Sequence, residues 1–295
     1  MQATGGNPAN RIRPRRSVLY MPGANARAME KARALACDGI IFDLEDAVAA
    51  DAKASARAQV AAAVESGGYG HRELIIRVNG LETPWGHDDV AVAARLPIQG
   101  LLFPKVESVG QVDEILAVVD EAGGEALPLW FMIETPLGVL DVRELAAHTD
   151  RLRCLVMGTS DLVKELRAQH TVSRSNLAYA LQHCLLAARA LQLDILDGVH
   201  LDFRNEEGFR AACEQARAMG FDGKSLIHPS QIDVANEVFG YDETAIEHAR
   251  AVLEVWAEAK AQGKGVAVLD GKLIENLHVA EAERTLAFAR AIAER

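Results

Sequence analysis

Short runs of β-branched and aliphatic residues alternate with longer alanine-rich helical stretches along most of this chain, and the alternation repeats eight times. Strand-type runs occur at Ser17–Tyr20, Gly39–Phe42, Glu73–Val78, Gly100–Phe103, Leu129–Ile133, Arg153–Met157, Ile195–Val199 and Asp222–Ile227. Helical spacing fills the intervals at Asn25–Ala36, Asp51–Val64, Asp88–Arg95, Val109–Glu121, Leu140–His148, Ser175–Leu191 and Glu206–Met219. Runs this apolar suit strands buried on both faces, as in a parallel sheet. Eight βα units in about 230 residues predict a closed α/β architecture, the (β/α)8 or TIM barrel, which typically takes ~250. A doubly wound open sheet is the runner-up. It does not require eight regular units, and the chain has no glycine-rich first turn of the GxGxxG kind.

The barrel is expected over 16–240. Beyond it the pattern changes to a helix at Glu243–Lys260, a hairpin with the turn Asp270-Gly271 between Val266–Leu269 and Lys272–Ile274, and a last helix at Leu277–Ile292. This helical and hairpin extension, 241–295, is too small to bury a core of its own and is expected to dock on the barrel or on a neighbouring subunit. Residues 1–15 hold Gly, Asn, Pro and three Arg with no apolar run behind them, so they read as a flexible arm rather than a signal peptide.

Asp and Glu outnumber Lys and Arg by 42 to 31, for a net charge of −11. Nucleic acid is therefore not an expected partner, because binding it needs a basic face. No apolar run reaches the ~20 residues of a membrane span. The four cysteines, Cys37, Cys154, Cys184 and Cys213, are scattered with no CxxC pair. They read as reduced, buried thiols in a cytoplasmic protein.

Nearly every predicted strand ends in a polar or charged side chain: Asp43, Glu45 and Asp46, then Arg77, Lys105, Glu134, Asp161, and Lys224 with His228. A barrel brings such tips to one mouth, where parallel α/β folds place their chemistry. Glu134 closes the run Leu129–Ile133 and is followed at once by Thr135-Pro136, while Asp161 follows the next strand. Two carboxylates from adjacent strands suit magnesium, which takes oxygen ligands and keeps waters that substrate oxygens can replace. No His or Cys cluster has zinc spacing. The alternative for both acids is a helix N-terminal carboxylate favoured by the dipole. Arg77 offers a fork of donors that matches a carboxylate, or it pairs with the Asp43–Asp46 acids. Those acids either orient Arg77 or bind a metal through water. Lys105 can reach a phosphate or a buried acid, and His228 before Pro229 can be a ligand or a cap.

The motifs Arg16-Ser-Val-Leu-Tyr-Met-Pro-Gly23, Asp43-Leu-Glu-Asp46, Arg77-Val-Asn79, Pro104-Lys-Val106, Glu134-Thr-Pro-Leu-Gly138, Gly158-Thr-Ser-Asp-Leu162, Gly223-Lys-Ser-Leu-Ile-His-Pro229 and Asp270-Gly-Lys272 occur in this order. In them the chain resembles the citrate lyase β-subunit-like enzymes of the HpcH/HpaI aldolase superfamily, nearest to their malyl-CoA lyase and malyl-CoA thioesterase branch. The resemblance implies a TIM barrel with Mg2+, or Mn2+ in its place, held by Glu134 and Asp161. It implies a CoA-thioester substrate across the mouth, with Arg77 on the acyl end and Arg16, Tyr20 and Lys105 among the binding residues. It also implies a trimer or hexamer in which the C-terminal extension covers a neighbour's site.

The activity expected first is retro-aldol cleavage of a 3-hydroxyacyl-CoA of the malyl, methylmalyl, citramalyl or citryl type, giving an acyl-CoA and a keto-acid. Where family lyases carry an aspartate after the Asp-Gly-Lys turn, this chain has Glu275. Its extra methylene reaches further, either to protonate an enolate or to activate water against the thioester. The second use makes the protein a (3S)-malyl-CoA thioesterase, and a non-catalytic CoA-ester-binding subunit is the third reading.

Overall fold

All eight strand-type runs pair in parallel with their sequence neighbours, and the last returns to the first. The computed structural model describes residues 12–295. The strands are β1 (Ser17–Pro22), β2 (Gly39–Asp43), β3 (Glu73–Arg77), β4 (Gly100–Phe103), β5 (Leu129–Ile133), β6 (Leu152–Met157), β7 (Asp194–Asp197) and β8 (Gly223–Leu226). Register such as Tyr20 on Ile41, and Ser17 on Lys224 where β1 meets β8, closes the sheet into a barrel. This is the (β/α)8 fold that the eightfold alternation predicts.

The helices between and after the strands are α1 (Ala26–Ala32), α2 (Lys53–Glu65), α3 (Gly86–Ala93), α4 (Val109–Glu121), α5 (Pro136–Ala147), α6 (Thr159–Glu165), α7 (Ala178–Ala190), α8 (Glu206–Met219) and α9 (Ile232–Val238). Their starts are written in the sequence. Asn25 caps α1 by accepting from the Ala28 N–H at 3.0 Å, and Thr135 caps α5 from Gly138 at 3.0 Å with Pro136 in the first turn. The proline after β5 therefore opens a helix at once. The sequence spacing did not announce α6 or α9, each of 7 residues and too short to show a helical period.

Side chains alternate across the strands. One set, with Val18, Ile41, Ile75, Leu102, Trp130, Cys154 and Leu196, fills the barrel, while the other packs outward against the helices. Residues 1–11 of the expected arm lie outside the described residues. Arg15, its last residue, keeps only 10% of its side-chain surface exposed, pairs with Glu73 at 2.7 Å and with Asp194, and lies 4.9 Å from the Trp130 ring. It plugs the barrel at the N-terminal end of the strands.

Arg15–Phe239 forms one compact unit, and Gly240–Arg295 with residues 12–14 forms a second. In the second, α10 (Glu243–Ala261) and α11 (Asn276–Ala293) flank a hairpin of β9 (Ala267–Leu269) and β10 (Lys272–Ile274). Asp270 and Gly271 both have positive φ, +50° and +75°, as a two-residue hairpin turn of the primed type requires. Ala249, Val252, Trp256, Ala267, Ile274 and Ala282 make its small core. Val268 and Leu273, directly paired across the hairpin, are exposed.

All four cysteines are buried free thiols. Burial pushes the Cys37 thiol up to about 11 and that of Cys184 up to about 12. Among the described residues no helix is long and apolar enough to cross a membrane.

Candidate active site

The C-terminal ends of the barrel strands enclose a cavity of about 380 Å³ that includes Tyr20, Asp43, Arg77, Met132, Glu134 and Asp161 in its lining. Glu134 follows the last residue of β5 and is 1% exposed. One of its oxygens accepts from the Lys105 N–H at 3.0 Å, with Lys105 in the left-handed region at φ +50°. Burial pushes the Glu134 carboxyl up to about 8; the cations Lys105 and Arg77 act against this, and the Asp161 and Glu45 charges add to it. Asp161 stands in the first turn of α6, on the next βα loop.

Arg77 is buried and held on both sides. Its Nε and Nη2 donate to the two oxygens of Asp43 at 2.7 and 2.6 Å, and its Nη1 lies 2.8 Å from Glu45 Oε2. The other Glu45 oxygen accepts from Lys105 Nζ at 3.2 Å. Asp43, Arg77, Glu45, Lys105 and Glu134 thus form one continuous chain of contacts. Asp46 lines the cavity and donates its N–H to Glu45 Oε2 at 3.1 Å. The Arg77 guanidinium lies 5.0 Å from the centre of the Tyr20 ring, whose hydroxyl faces Met132 Sδ at 3.9 Å. Burial raises the Tyr20 phenol well above its usual range even though Arg77 acts in the other direction. The alternative left open for Arg77 in the sequence, pairing with the neighbouring acids, is therefore the one adopted, and it points the arginine into the cavity.

Arg16 does not join this group. It precedes β1 at the end of the barrel away from the cavity, where its Nε, Nη2 and N–H all donate to Asp38 at 2.8–2.9 Å. Lys224 does not converge on the mouth either. It lies on the outward side of β8, paired with Asp197, which also takes Arg174 Nη1 at 2.8 Å on both oxygens. Burial alone would raise Asp197, but the two cations hold it below the usual carboxylate range. His228 acts as a cap: its Nδ1 accepts from the Ser230 N–H at 3.2 Å, and its ring stacks on Phe203 with centroids 4.6 Å apart. Glu275 lies in the second unit, exposed, at the start of α11, where its N–H donates to His278 Nδ1 at 3.0 Å.

Several residues that shape the site escaped sequence reasoning. Met132 contacts both Tyr20 and Arg77. Lys53 and Asp89 hold the loop after β2 and the end of β3 through Asn79. Only the Arg77-Val-Asn79 motif hinted at these supports.

The donor set fits a hard divalent cation. Glu134 is destabilised as an anion by burial and by a second carboxylate, and among the described residues no side chain donates to its other oxygen. A cation between the two acids would relieve both costs. Among the described residues no group of three or more His, Cys, Asp or Glu side chains gathers as a metal site. Water or substrate oxygens would complete the shell, as magnesium allows and structural zinc does not.

Residues 16–229 match the family HpcH/HpaI aldolase/citrate lyase. The chain is 50% identical over 285 residues to a (3S)-malyl-CoA thioesterase of Cereibacter sphaeroides (strain KD131), covering 97% of this chain and 98% of that one. It is 33% identical over 288 residues to the citrate lyase subunit beta of Leuconostoc mesenteroides subsp. cremoris, covering 96% and 95%. Among solved structures it is similar to the protein CitE from Mycobacterium tuberculosis in complex with magnesium, acetoacetate and coenzyme A. That match has a TM-score of 0.74 and 27% identity, over 95% of this chain and 98% of that one.

Proposed function

We propose, for a chain that belongs to the HpcH/HpaI aldolase/citrate lyase family as this one does, that it is a magnesium-dependent (3S)-malyl-CoA thioesterase. The observation that carries the chemistry is the buried Glu134, raised to about 8 and lining one cavity with Asp161 and Arg77. The order of the two activities expected from sequence is reversed here. Near 50% identity over almost the whole chain supports hydrolysis, whereas the citrate lyase relative, at 33%, supports C–C cleavage more weakly.

Glu134 and Asp161 would hold the cation, with manganese as a substitute. When bound, it supplies a Lewis acid for an oxygen on which negative charge develops. Of the five N–H groups of Arg77, Asp43 takes two and Met132 Sδ faces a third at 3.6 Å, while Glu45 Oε2 lies 2.8 Å from Nη1 as an ion pair. Arg77 thus keeps donor capacity for a ligand oxygen such as that of a thioester carbonyl. Asp43 and Glu45 hold the guanidinium in place before substrate arrives, so its orientation costs nothing at the moment of reaction. Glu275, supplied by a neighbouring copy in a trimer or hexamer, is the proposed base that activates water toward the thioester carbonyl. The water oxygen bonds to the carbonyl carbon, the C–S bond breaks, and the sulfur takes up the proton that Glu275 removed, so that malate and the CoA thiol are released.

Product analysis tests the proposal. Incubation with (3S)-malyl-CoA and Mg2+ is expected to yield free CoA thiol and malate in equal amounts. Acetyl-CoA with glyoxylate would identify the lyase instead, and tight binding with neither product would identify a CoA-ester-binding subunit.

A further inference from the structure

Lys53 is the first residue of α2 and is 6% exposed. A cation there faces two penalties: burial, and the positive end of the helix dipole. Burial holds its ammonium below the usual lysine range, although Glu45, Asp43, Asp89 and Asp46 pull the other way. Among the described residues no carboxylate accepts from it directly. Its three donors go to Leu44 O at 2.9 Å, Glu45 O at 2.8 Å and Asn79 Oδ1 at 2.7 Å, and Trp85 covers it with its ring centre 5.3 Å away.

The two carbonyls belong to the peptide units on either side of Glu45. Fixing both fixes the backbone from which the Glu45 carboxylate reaches Arg77 and Lys105, and from which Asp46 reaches the cavity. Asn79 is itself locked, since its Nδ2 donates to Leu44 O at 2.9 Å and to Asp89 Oδ2 at 2.6 Å. Asp89 is pinned in turn by Arg57 at 2.7 Å. Three acidic residues within four positions, 43–46, repel one another, and a buried cation that grips their backbone counters the spread.

We propose that Lys53 is the positioning residue of this site: by clamping the Leu44 and Glu45 carbonyls it sets the aim of Glu45 at Arg77, and so the orientation of the donors that Arg77 keeps for substrate. This rests on the thioester reading above only for the last step. A helix-terminal lysine that served stability alone would have no reason to spend two of its three donors on the loop that carries the acids and the third on Asn79, which also donates to that loop.

The test has a structural arm and a kinetic arm. In a crystal structure of Lys53→Met, the Glu45 carboxylate is expected to lie beyond about 4 Å from Arg77 Nη1, outside ion-pair range. Glu45 still in place would overturn the proposal. With malyl-CoA, Lys53→Met and Glu45→Gln are each expected to lower kcat by roughly tenfold or more, with KM changed less, and the double variant to be no slower than the slower single one. Losses that multiply in the double variant would assign Lys53 a separate, purely structural role and also overturn it. Lys53→Gln, which keeps a donor at the same depth, takes the same measurements if the methionine variant does not fold. A wild-type protein inert toward malyl-CoA would remove the thioester reading, while the crystallographic arm would still decide the position of Glu45.

Discussion

Gly158 and Glu134 stand so close that a Cβ added to Gly158 would sit 2.3 Å from the Glu134 Cβ and 2.5 Å from its Oε2. The φ of Gly158 is −89°, so backbone freedom is not the reason for glycine; the Glu134 side chain needs the space. Gly158→Ala is therefore expected to push Glu134 off Asp161. Overpacking of this kind costs about 1–3 kcal/mol of stability. Thermal unfolding should show that loss, and titration calorimetry with Mg2+ should show at least tenfold weaker binding. An alanine variant with wild-type Mg2+ affinity would mean that Glu134 does not hold the cation.

Asp43 takes the Arg77 fork with both oxygens, and the pair is buried. Asp43→Asn leaves a neutral partner with a single acceptor and a guanidinium that is only half anchored. Breaking a buried pair typically costs ~3–5 kcal/mol. The variant should melt well below wild type and lose most turnover. Arg77→Lys should be as damaging, because an ammonium cannot hold Asp43 and Glu45 in one plane and still present a donor to substrate. Near-normal kcat/KM in Arg77→Lys would show that a point charge suffices there.

Lys224→Met should separate stability from chemistry. Lys224 faces the helix layer, and its loss leaves Asp197 with Arg174 alone. A drop of about 3 kcal/mol or more in unfolding free energy is expected, with KM unchanged in the protein that remains folded. A raised KM at unaltered stability would place Lys224 at the mouth after all.

The strand tips were readable because each apolar run stops at a polar residue, and in a barrel every C-terminal tip shares one face. That logic finds Asp43, Arg77, Glu134 and Asp161 together. It fails for Arg16, because a charge beside a strand does not say which end of the barrel it occupies until the strand's first residue, Ser17, is fixed. It fails for Lys224 by parity. Val18, Ile41 and Leu196 point inward, and the register that pairs Asp197 with Lys224 sends both side chains out. The clamp through Lys53, Asn79 and Asp89 joins residues up to 36 positions apart across three elements. No local period marks such contacts.

The exposed pair Val268 and Leu273 on the C-terminal hairpin bears on the expected oligomer. Val268→Asp with Leu273→Lys should give a smaller species in analytical ultracentrifugation if this face is covered by another copy. A wild-type sedimentation profile would assign the contact to another surface. Glu275→Ala mixed with Glu134→Ala should regain part of the activity where copies share sites, and no regain after subunit exchange has been demonstrated would count against sharing.

Glu134 also makes the metal-free protein sensitive to pH in a direction opposite to the usual carboxylate. Its folded value, about 8, lies above the ordinary value of 4.5, so between these limits the native state holds a proton that the unfolded chain has released. Stability contributed by this group is therefore present at low pH and is lost as pH rises from about 4.5 through 8. Metal-free protein should show a melting temperature that falls across that window, and Glu134→Gln should flatten the fall. A cation bound by Glu134 must displace the same proton. At pH 7, calorimetry in buffers of different ionisation enthalpy should report release of close to one proton per Mg2+. Asp161→Asn lowers the Glu134 value by removing a neighbouring charge, so it should release less while binding more weakly. Heats that are independent of the buffer would mean that Glu134 is already ionised, and that its charge is balanced by something other than the metal.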